Sequence, residues 1–263
     1  MLVKLSNPAD KWAFYDELIA SISVSAKVEN CVIGSYWVLI KSNQGGLGMA
    51  HFLFQNISST SRRLEASELA GRPLSEVATL IKSWDYHAAA IGLAAVNAAV
   101  NTSVLISDSV LNRAVEEAEG SAFDFFLKRA AGRKVAVIGH FPNLEKLGQV
   151  ANLSILESNP HPGDLPEPAA EYILPDQDII FMTGTTIINK TMPRLLELSR
   201  QAEIYLVGPS TPMLPRLFDY GFYSLSGMVV RDYEAMAAAI VDDSTEEIFR
   251  HGGIKVNLVY QQG

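Results

Sequence analysis

Short, continuous runs of apolar residues recur in the second half of the chain, and each ends in glycine. They are VAVIG, IIFMTG and IYLVG, at residues 135–139, 179–184 and 204–208. Such runs are typical of strands covered on both faces, as in a parallel sheet, and the helical stretches between them indicate a Rossmann-like arrangement. Further strands are predicted at residues 151–157, 222–230 and 254–260. The proline-rich segment 159–168 is predicted to be a surface loop long enough to serve as a lid.

The first hundred residues show a different, α+β pattern. The predicted elements are a helix at 8–25, two strands within 27–40 joined at Gly34-Ser35, a strand at 48–54, a helix from 73 to 84 and an alanine-rich helix at 85–101. The last helix carries almost no charge, which indicates burial on most sides. We therefore expect a mixed α/β protein of two domains, at residues 1–104 and 105–263.

Each glycine-ended strand is followed by a proline, which is favoured in the first turn of a helix. Thr211 is predicted to cap the helix after the third strand, and Asn189 or Thr191 the helix after the second. Because parallel strands end at one edge, three helix N-termini would meet in a crevice and offer N–H groups to an anionic or oxygen-rich ligand. The alternative is that these are ordinary turns, since Gly, Ser, Thr and Pro are common in any turn.

The predicted site combines these turns with nearby polar and aromatic groups. The predicted ligand-binding residues are Asn97, Gly139, His140, Phe141, Glu157, Thr183, Gly184, Thr185, Thr186, Asn189, Lys190, Gly208, Ser210 and Thr211. His140 is the best placed histidine, as a general base, a metal ligand or a hydrogen-bond donor, and Lys190 is the second catalytic candidate. A structural role is favoured for His51, His87 and His251.

Two of these residues leave alternatives open. Glu157 follows the first strand at about the spacing of a ribose-binding acid, but the turn GHFPNL is not the G-x-G-x-x-G of a dinucleotide site, and Glu157 is equally well explained as a solvated strand end. Asn97 stands among alanines in the predicted buried helix, where its amide needs a partner. That partner is either a neighbouring loop or the ligand.

Composition narrows the class of protein. The chain has 263 residues and a formal net charge of −8, which disfavours a nucleic-acid partner because phosphate binding needs a basic face. The single cysteine, Cys31, allows no internal disulfide and no multi-cysteine metal site. The longest apolar run, residues 88–96, is too short to cross a bilayer, and no signal peptide is recognised. We expect a cytoplasmic protein with no membrane partner, and the oligomeric state is left open.

Several motifs resemble a known family. GHFP (139–142), ESNP (157–160), TGTTIINKT (183–191), GPSTP (208–212) and GLAAVNA (92–98) are similar to segments of the "putative heavy-metal-chelation" family. The resemblance implies an enolase N-terminal-like domain followed by a Rossmann-like domain, a site in the cleft between them and a role with heavy metals or their chelates. It implies no particular reaction.

The residues fit a bare soft metal poorly, because such ions prefer thiolate or clustered imidazole ligands. We therefore expect a metal bound through an organic chelate, or no metal, and assign no metal ligands; the cofactor is unknown. Three functions remain open. The first is binding of a small anionic or metal-chelating molecule. The second is an enzyme on a nucleotide-like or oxygen-rich molecule, with His140 as acid or base, and the third is an interaction subunit with a purely structural crevice.

Overall fold

A computed structural model of the chain describes residues 10–53, 63–102, 116–117, 121–250 and 252–260. The strands are β1 (Val28–Ile33), β2 (Trp37–Ser42), β3 (Leu47–His51), β4 (Glu116–Glu117), β5 (Lys134–Ile138), β6 (Asn152–Glu157), β7 (Leu165–Pro166), β8 (Ile179–Thr183), β9 (Glu203–Val207), β10 (Phe222–Val230) and β11 (Gly253–Val259). The α-helices are α1 (Ala13–Ala20), α2 (Leu74–Ala78), α3 (Tyr86–Val100), α4 (Ala122–Ala130), α5 (Glu145–Val150), α6 (Ala170–Ile173), α7 (Met192–Leu198), α8 (Tyr233–Val241) and α9 (Thr245–Arg250).

Strands β1, β2 and β3 form a small antiparallel sheet against which α3 packs. The contact is close because β3 has glycine where a side chain would collide with the helix: a Cβ on Gly48 would lie 1.9 Å from the Ala98 backbone nitrogen. Helix α3 begins at Asp85, whose carboxylate accepts hydrogen bonds from the His87 and Ala88 N–H groups. One hydrophobic core contains residues of α3 and of both sheets, which confirms the predicted burial of this helix.

The large sheet has the order β4-β11-β10-β9-β8-β5-β6-β7. From β10 to β7 all neighbours are parallel, while β11 and β4 are added antiparallel. Alternate residues of its strands enter two different cores: Ala136 and Ile180 contribute to one, Val137 and Phe181 to the other. Coverage of both faces explains the continuous apolar runs and confirms the mixed α/β fold with a parallel-dominated sheet.

Several predicted helices are shorter than expected. Helix α1 covers only part of the predicted 8–25, and residues 1–9 lie outside the described part. It ends beside Ser21, whose hydroxyl donates to the Leu18 carbonyl and so competes with the helical hydrogen bonds. The predicted helix 73–84 divides into α2 and a 3-10 turn, Thr79–Lys82.

The prediction that a helix begins at each proline holds for one turn of three. Pro193 lies in the first turn of α7, with Thr191 at the N-cap position and the Asn189 side-chain oxygen accepting from the Thr191 N–H. Pro142 precedes α5 by three residues. The predicted Thr211 cap is wrong: residues 211–214 have no regular structure, and a 3-10 helix follows only at Pro215–Tyr220.

Some predictions concern residues that lie outside the described ranges. Residues 103–115, which contain the predicted domain boundary, lie outside them, as do His251 and residue 54 of the predicted third strand. The predicted loop 159–168 contains β7, which pairs with the end of β6, so this loop is fastened to the sheet. No helix within the described ranges is both long and apolar enough to cross a membrane.

Candidate functional site

A cavity of about 370 Å³ lies where the strands of the large sheet end. From β5 the chain runs outward to β6 and β7, then returns to β8 on the other side of β5. This reversal is the topological switch point at which open α/β sheets bind ligands. Ile138 and Thr183, from the neighbouring strands β5 and β8, both line the cavity. Trp37, His51 and Leu53, from the region of the small sheet, close it on another side.

Most of the predicted ligand-binding residues line this cavity. Those that do are Gly139, His140, Phe141, Glu157, Thr183, Thr185, Thr186, Asn189, Gly208 and Ser210. Those that are not among its lining residues are Asn97, Gly184, Lys190 and Thr211. The three turns therefore do meet in one place, although they bring hydroxyls and backbone rather than three helix ends.

Glycines shape these turns in two ways. Gly139 and Gly208 have φ angles of +100° and +104°, a conformation that glycine adopts without the cost a side chain would bring. Gly184 instead allows close packing: a Cβ there would lie 2.9 Å from the Ser210 carbonyl carbon. Thr183 precedes the 3-10 turn at Gly184–Ile187 and accepts from the Thr185 N–H, and the Thr186 hydroxyl donates to the Thr183 carbonyl.

Glu157 holds the rim of the cavity together. Its carboxylate accepts hydrogen bonds from the backbone N–H groups of His140 and Ser158, each at 2.8 Å, and from that of Asn159 at 3.2 Å. Burial opposes its ionisation, but the hydrogen bonds from Ser158, Asn159 and His140 outweigh burial and lower the pKa of Glu157. An ionised Glu157 thus fixes the turn after β5 to the turn after β6.

The cavity wall is acidic. Glu157 and Glu167 both line it, and its described lining residues include no lysine or arginine. Burial, and then the charge of Glu157, raise the pKa of Glu167. Within the described residues, no hydrogen-bond donor or cation pairs with the Glu167 carboxyl group. As far as the described ranges go, Glu167 therefore offers an unpaired carboxyl group in the cavity wall.

His140 belongs to a cluster at the edge of the cavity. Its Nδ1 lies 2.8 Å from Asp164 Oδ2, and its ring centroid lies 4.3 Å from that of His161. One potential ligand atom from each of His140, His161 and Asp164 lies within 4.8 Å of the others. The Asp164 side chain is only 3% exposed. Burial opposes its ionisation, but the His161 N–H and the His140 side chain lower the pKa of Asp164 overall.

Lys190 does not fill the role predicted for it. Its ammonium group donates to the Ile188 carbonyl at 2.5 Å and lies 5.9 Å from the Tyr86 ring centroid. Burial lowers the pKa of Lys190 to about 8. The charge is thus held by the chain's own carbonyl and ring, and the expectation of an electrostatic stabiliser in the crevice is not met by this geometry.

Asn97 in α3 and Asn101, which follows the last residue of that helix, bind loops. The Asn97 amide donates to the carbonyls of Met49 at 2.9 Å and Ser210 at 3.1 Å. Asn101 donates to the Thr211 carbonyl and accepts from the Met213 N–H. Of the two alternatives for Asn97, the geometry supports a structural bond that holds the turn after β9 against α3.

Several lining residues were not singled out by sequence. They are Trp37, Leu53, Ile138, Pro142, Leu156, Ser158, Glu167, Ala170, Leu195, Pro209 and Phe249, together with His51, for which a structural role was predicted. Burial lowers the pKa of His51, and its ring contacts Trp37 edge-on at 4.7 Å. His87, by contrast, stacks on Phe52 with centroids 4.3 Å apart, as expected of a structural histidine. His161-x-x-Asp164 is a short-range pattern that could have indicated the cluster around His140.

Two family models match the chain. Residues 121–258 match DUF364 and residues 15–100 match DUF4213, both described as "Putative heavy-metal chelation". The match to DUF364 covers more than half of the chain. Among curated proteins, "Uncharacterized protein MJ0500" from Methanocaldococcus jannaschii is 26% identical over 232 residues, which is 84% of this chain and 85% of that protein.

Two crystal structures resemble the fold over nearly its whole length. A protein with unknown function from the DUF364 family of Desulfitobacterium hafniense DCB-2 is 36% identical, with a TM-score of 0.82 over 95% of this chain and 98% of the other. A DUF364 family protein of unknown function from Pyrococcus horikoshii is 20% identical, with a TM-score of 0.77 over 94% and 98%. At that lower identity, the second similarity concerns the fold alone.

Proposed function

Because this chain belongs to the DUF364 family, described as "Putative heavy-metal chelation", we propose that it binds a small, oxygen-rich, metal-chelating molecule in the cavity between its two sheets. The observation that carries this proposal is the position of the cavity. It lies at the switch point of the large sheet and takes part of its wall from the region of the small sheet. Its volume is within the range of small-molecule sites.

The neutral polar groups of the wall suit oxygen atoms. Thr185, Asn189 and Ser210 bring hydroxyl and amide groups to the wall. The indole N–H of Trp37 is buried and has no hydrogen-bond acceptor among the described residues. Buried donors are almost always paired in folded proteins. A hydroxyl, carbonyl or carboxylate oxygen of a ligand would supply the missing acceptor.

The charge of the wall refines the expected ligand. An isolated anion would face Glu157 and Glu167 without a compensating lysine or arginine among the described lining residues. Desolvating an unpaired charge beside like charges is costly. A neutral polyhydroxyl compound, or a chelator whose charge is offset by its metal ion, fits better than an anion alone. We expect the protein to meet this ligand in the cytoplasm.

The family description implies a metal ion. The imidazole and carboxylate groups of the chain are better suited to bind it than the thiol of Cys31 is. Cys31 is buried in β1, and burial raises the pKa of its thiol to about 12, so a thiolate ligand is not available there. His140, His161 and Asp164 provide two imidazoles and a carboxylate at the cavity edge. These three residues would hold the ion, which would in turn bind oxygen atoms of the chelator.

The test is thermal denaturation with a panel of citrate, a catechol and a hydroxamate, each with and without Zn²⁺. Binding to the folded state should raise the melting temperature, by the equivalent of about 2.7 kcal/mol at a hundredfold excess over Kd. Thr185→Val should reduce the shift, because it removes a hydroxyl from the wall. Thr79→Val is the matched control, since the Thr79 hydroxyl bonds the Glu76 carbonyl on the surface. Absence of a shift across the panel would contradict the proposal.

The Asp164–His140 contact favours one second candidate, an acid–base enzyme acting on an oxygen-rich molecule. A carboxylate bound to Nδ1 of a histidine fixes the tautomer in which Nε2 is free to take a proton. Here the distance is 2.8 Å and the carboxylate is nearly buried. If a panel ligand is turned over, His140→Ala should abolish turnover, while the same ligand without added metal should still raise the melting temperature. Unchanged turnover in that variant would remove His140 from the chemistry.

A further inference from the structure

We infer that His140, His161 and Asp164 form a binding site for a first-row divalent transition metal, with three protein ligands and the remaining positions available to oxygen atoms. The inference deepens the proposed function and rests on it only for the ligand that fills those remaining positions. The ligands are then these three named residues, and the ion belongs to a class that differs from the heavy metals that prefer thiol ligands.

The geometry brings the ligand atoms close to a coordination sphere. The three atoms already lie within 4.8 Å of one another. In a tetrahedral site with bonds of about 2.1 Å, neighbouring ligand atoms are separated by roughly 3.4 Å. Small rotations of the two exposed imidazoles would therefore suffice. His140 also lines the cavity, so the ion would lie beside the space where the chelator is proposed to bind.

The backbone holds the three residues in place before any ion binds. The turn from His161 to Asp164 is closed by a hydrogen bond from the Asp164 N–H to the His161 carbonyl, and Gly163 within it has a φ of +101°. The Asp164 carboxylate also accepts from the His161 N–H at 3.0 Å. On the other side, Glu157 holds the His140 backbone. Because these residues are already held in place, the entropic cost of ordering them when an ion binds is lower.

The donor set determines the kind of ion. Two imidazole nitrogens and one carboxylate oxygen suit Zn²⁺, Co²⁺, Ni²⁺, Fe²⁺ or Cu²⁺, whereas soft ions such as Hg²⁺ and Cu⁺ prefer thiolate. The only cysteine of the chain is Cys31, and it is buried in the small sheet. The site thus favours ions that also bind oxygen-rich chelators.

The experiment is a titration of the metal-free full chain with Co²⁺, followed by visible absorption and calorimetry. We expect one ion per chain, with d–d bands of nitrogen and oxygen ligation and no thiolate charge-transfer band. His161→Gln and Asp164→Asn should each weaken binding at least tenfold, since each removes a ligand. Asp176→Asn, a change of an exposed carboxylate elsewhere, should bind as the wild type does.

The variants also separate this inference from the proposed function. His161 is exposed and is not among the lining residues of the cavity, so His161→Gln should stay folded, and its melting curve without metal verifies that. If Co²⁺ binds equally to wild type and His161→Gln, or to neither, the metal site is overturned, even where chelators still raise the melting temperature. If Co²⁺ binding needs His161 but no chelator shifts the melting temperature, the metal site stands and the proposed function fails.

Discussion

At the scale of single residues, the acidic wall of the cavity is the feature least expected from the sequence. The sequence predicts that Lys190 faces the ligand, but its ammonium group donates to the Ile188 carbonyl. Glu167 lines the cavity, although no sequence pattern predicted it there. Helical or strand periodicity gives no information about either, because Lys190 lies in a turn and Glu167 begins a 3-10 helix of three residues, where the direction of each side chain depends on tertiary contacts.

The raised pKa of Glu167 predicts a pH-dependent cost to stability. In the folded state the carboxyl group keeps its proton at pH values where the unfolded chain, with a pKa of about 4.3, has lost it. The contribution of Glu167 to the free energy of unfolding is therefore present at low pH, and it is lost as the pH rises through the pKa of the folded state. Glu167→Gln should remove this loss and raise the stability at pH 7 relative to the wild type.

Urea denaturation at pH 4 and pH 7 measures this effect. Glu234→Gln is a suitable control, since Glu234 is exposed in the first turn of α8, where a negative charge is favourable. That variant should lose a little stability at pH 7. A Glu167→Gln variant that is less stable than wild type at pH 7 would show that the carboxylate has a stabilising partner.

At the scale of elements, the position of the turn after β9 depends on α3. Asn101 donates to the carbonyls of Thr211 and Met228 and accepts from the Met213 N–H. All of these groups are buried around a side chain that is 2% exposed. Helix α3 therefore fixes the segment after β9 by hydrogen bonds as well as by packing.

Asn101→Ala should destabilise the protein by about 2–3 kcal/mol, because it leaves buried backbone groups without partners. The change is measured by urea denaturation, with Asn152→Ala as control, since Asn152 is exposed at the start of β6. Ligand-induced shifts should also weaken, as the turn that carries Ser210 loses its support. A loss of stability no greater than that of the control would mean that other contacts hold this turn.

Helices and strands were predictable from the sequence where a pattern of neighbouring residues determines the local structure. The strands β5, β8 and β9 follow from apolar runs, and α3 from alanine-rich periodicity. The prediction that Pro142 and Pro212 each lie in the first turn of a helix was wrong, because those turns are shaped by distant partners. Asn97 and Asn101 lie more than a hundred residues from the loop they bind, and no spacing along the chain reveals such a contact.

At the scale of the whole molecule, the family matches confirm the resemblance that the turn motifs indicated. Those motifs are recognisable because their residues lie close together along the chain and end neighbouring strands. The part of the cavity wall that comes from the region of the small sheet was not predictable. Trp37 and His51 come close to the large sheet only in the folded molecule. The division into domains at residue 104 stays a prediction.

Three tryptophans offer a test of whether the ligand binds between the sheets. Trp37 lines the cavity and is 6% exposed, and its indole N–H has no hydrogen-bond acceptor in the part of the chain that the structure describes. Trp12 and Trp84 contact each other, with centroids 5.9 Å apart, and neither is among the lining residues of the cavity. Binding of an oxygen-rich chelator should therefore change the emission of Trp37 and leave that of the other two unaffected.

The double variant Trp12→Phe/Trp84→Phe should keep the ligand-dependent change in fluorescence, and Trp37→Phe should lose it while keeping a folded-state melting transition. An acceptor oxygen that bonds the indole N–H stabilises the excited state of Trp37 and shifts its emission to longer wavelength. If the change instead disappears with Trp12 and Trp84 and survives in Trp37→Phe, the chelator binds at the surface near α1. The cavity between the sheets would then not be the ligand site, whether or not His140, His161 and Asp164 bind a metal ion.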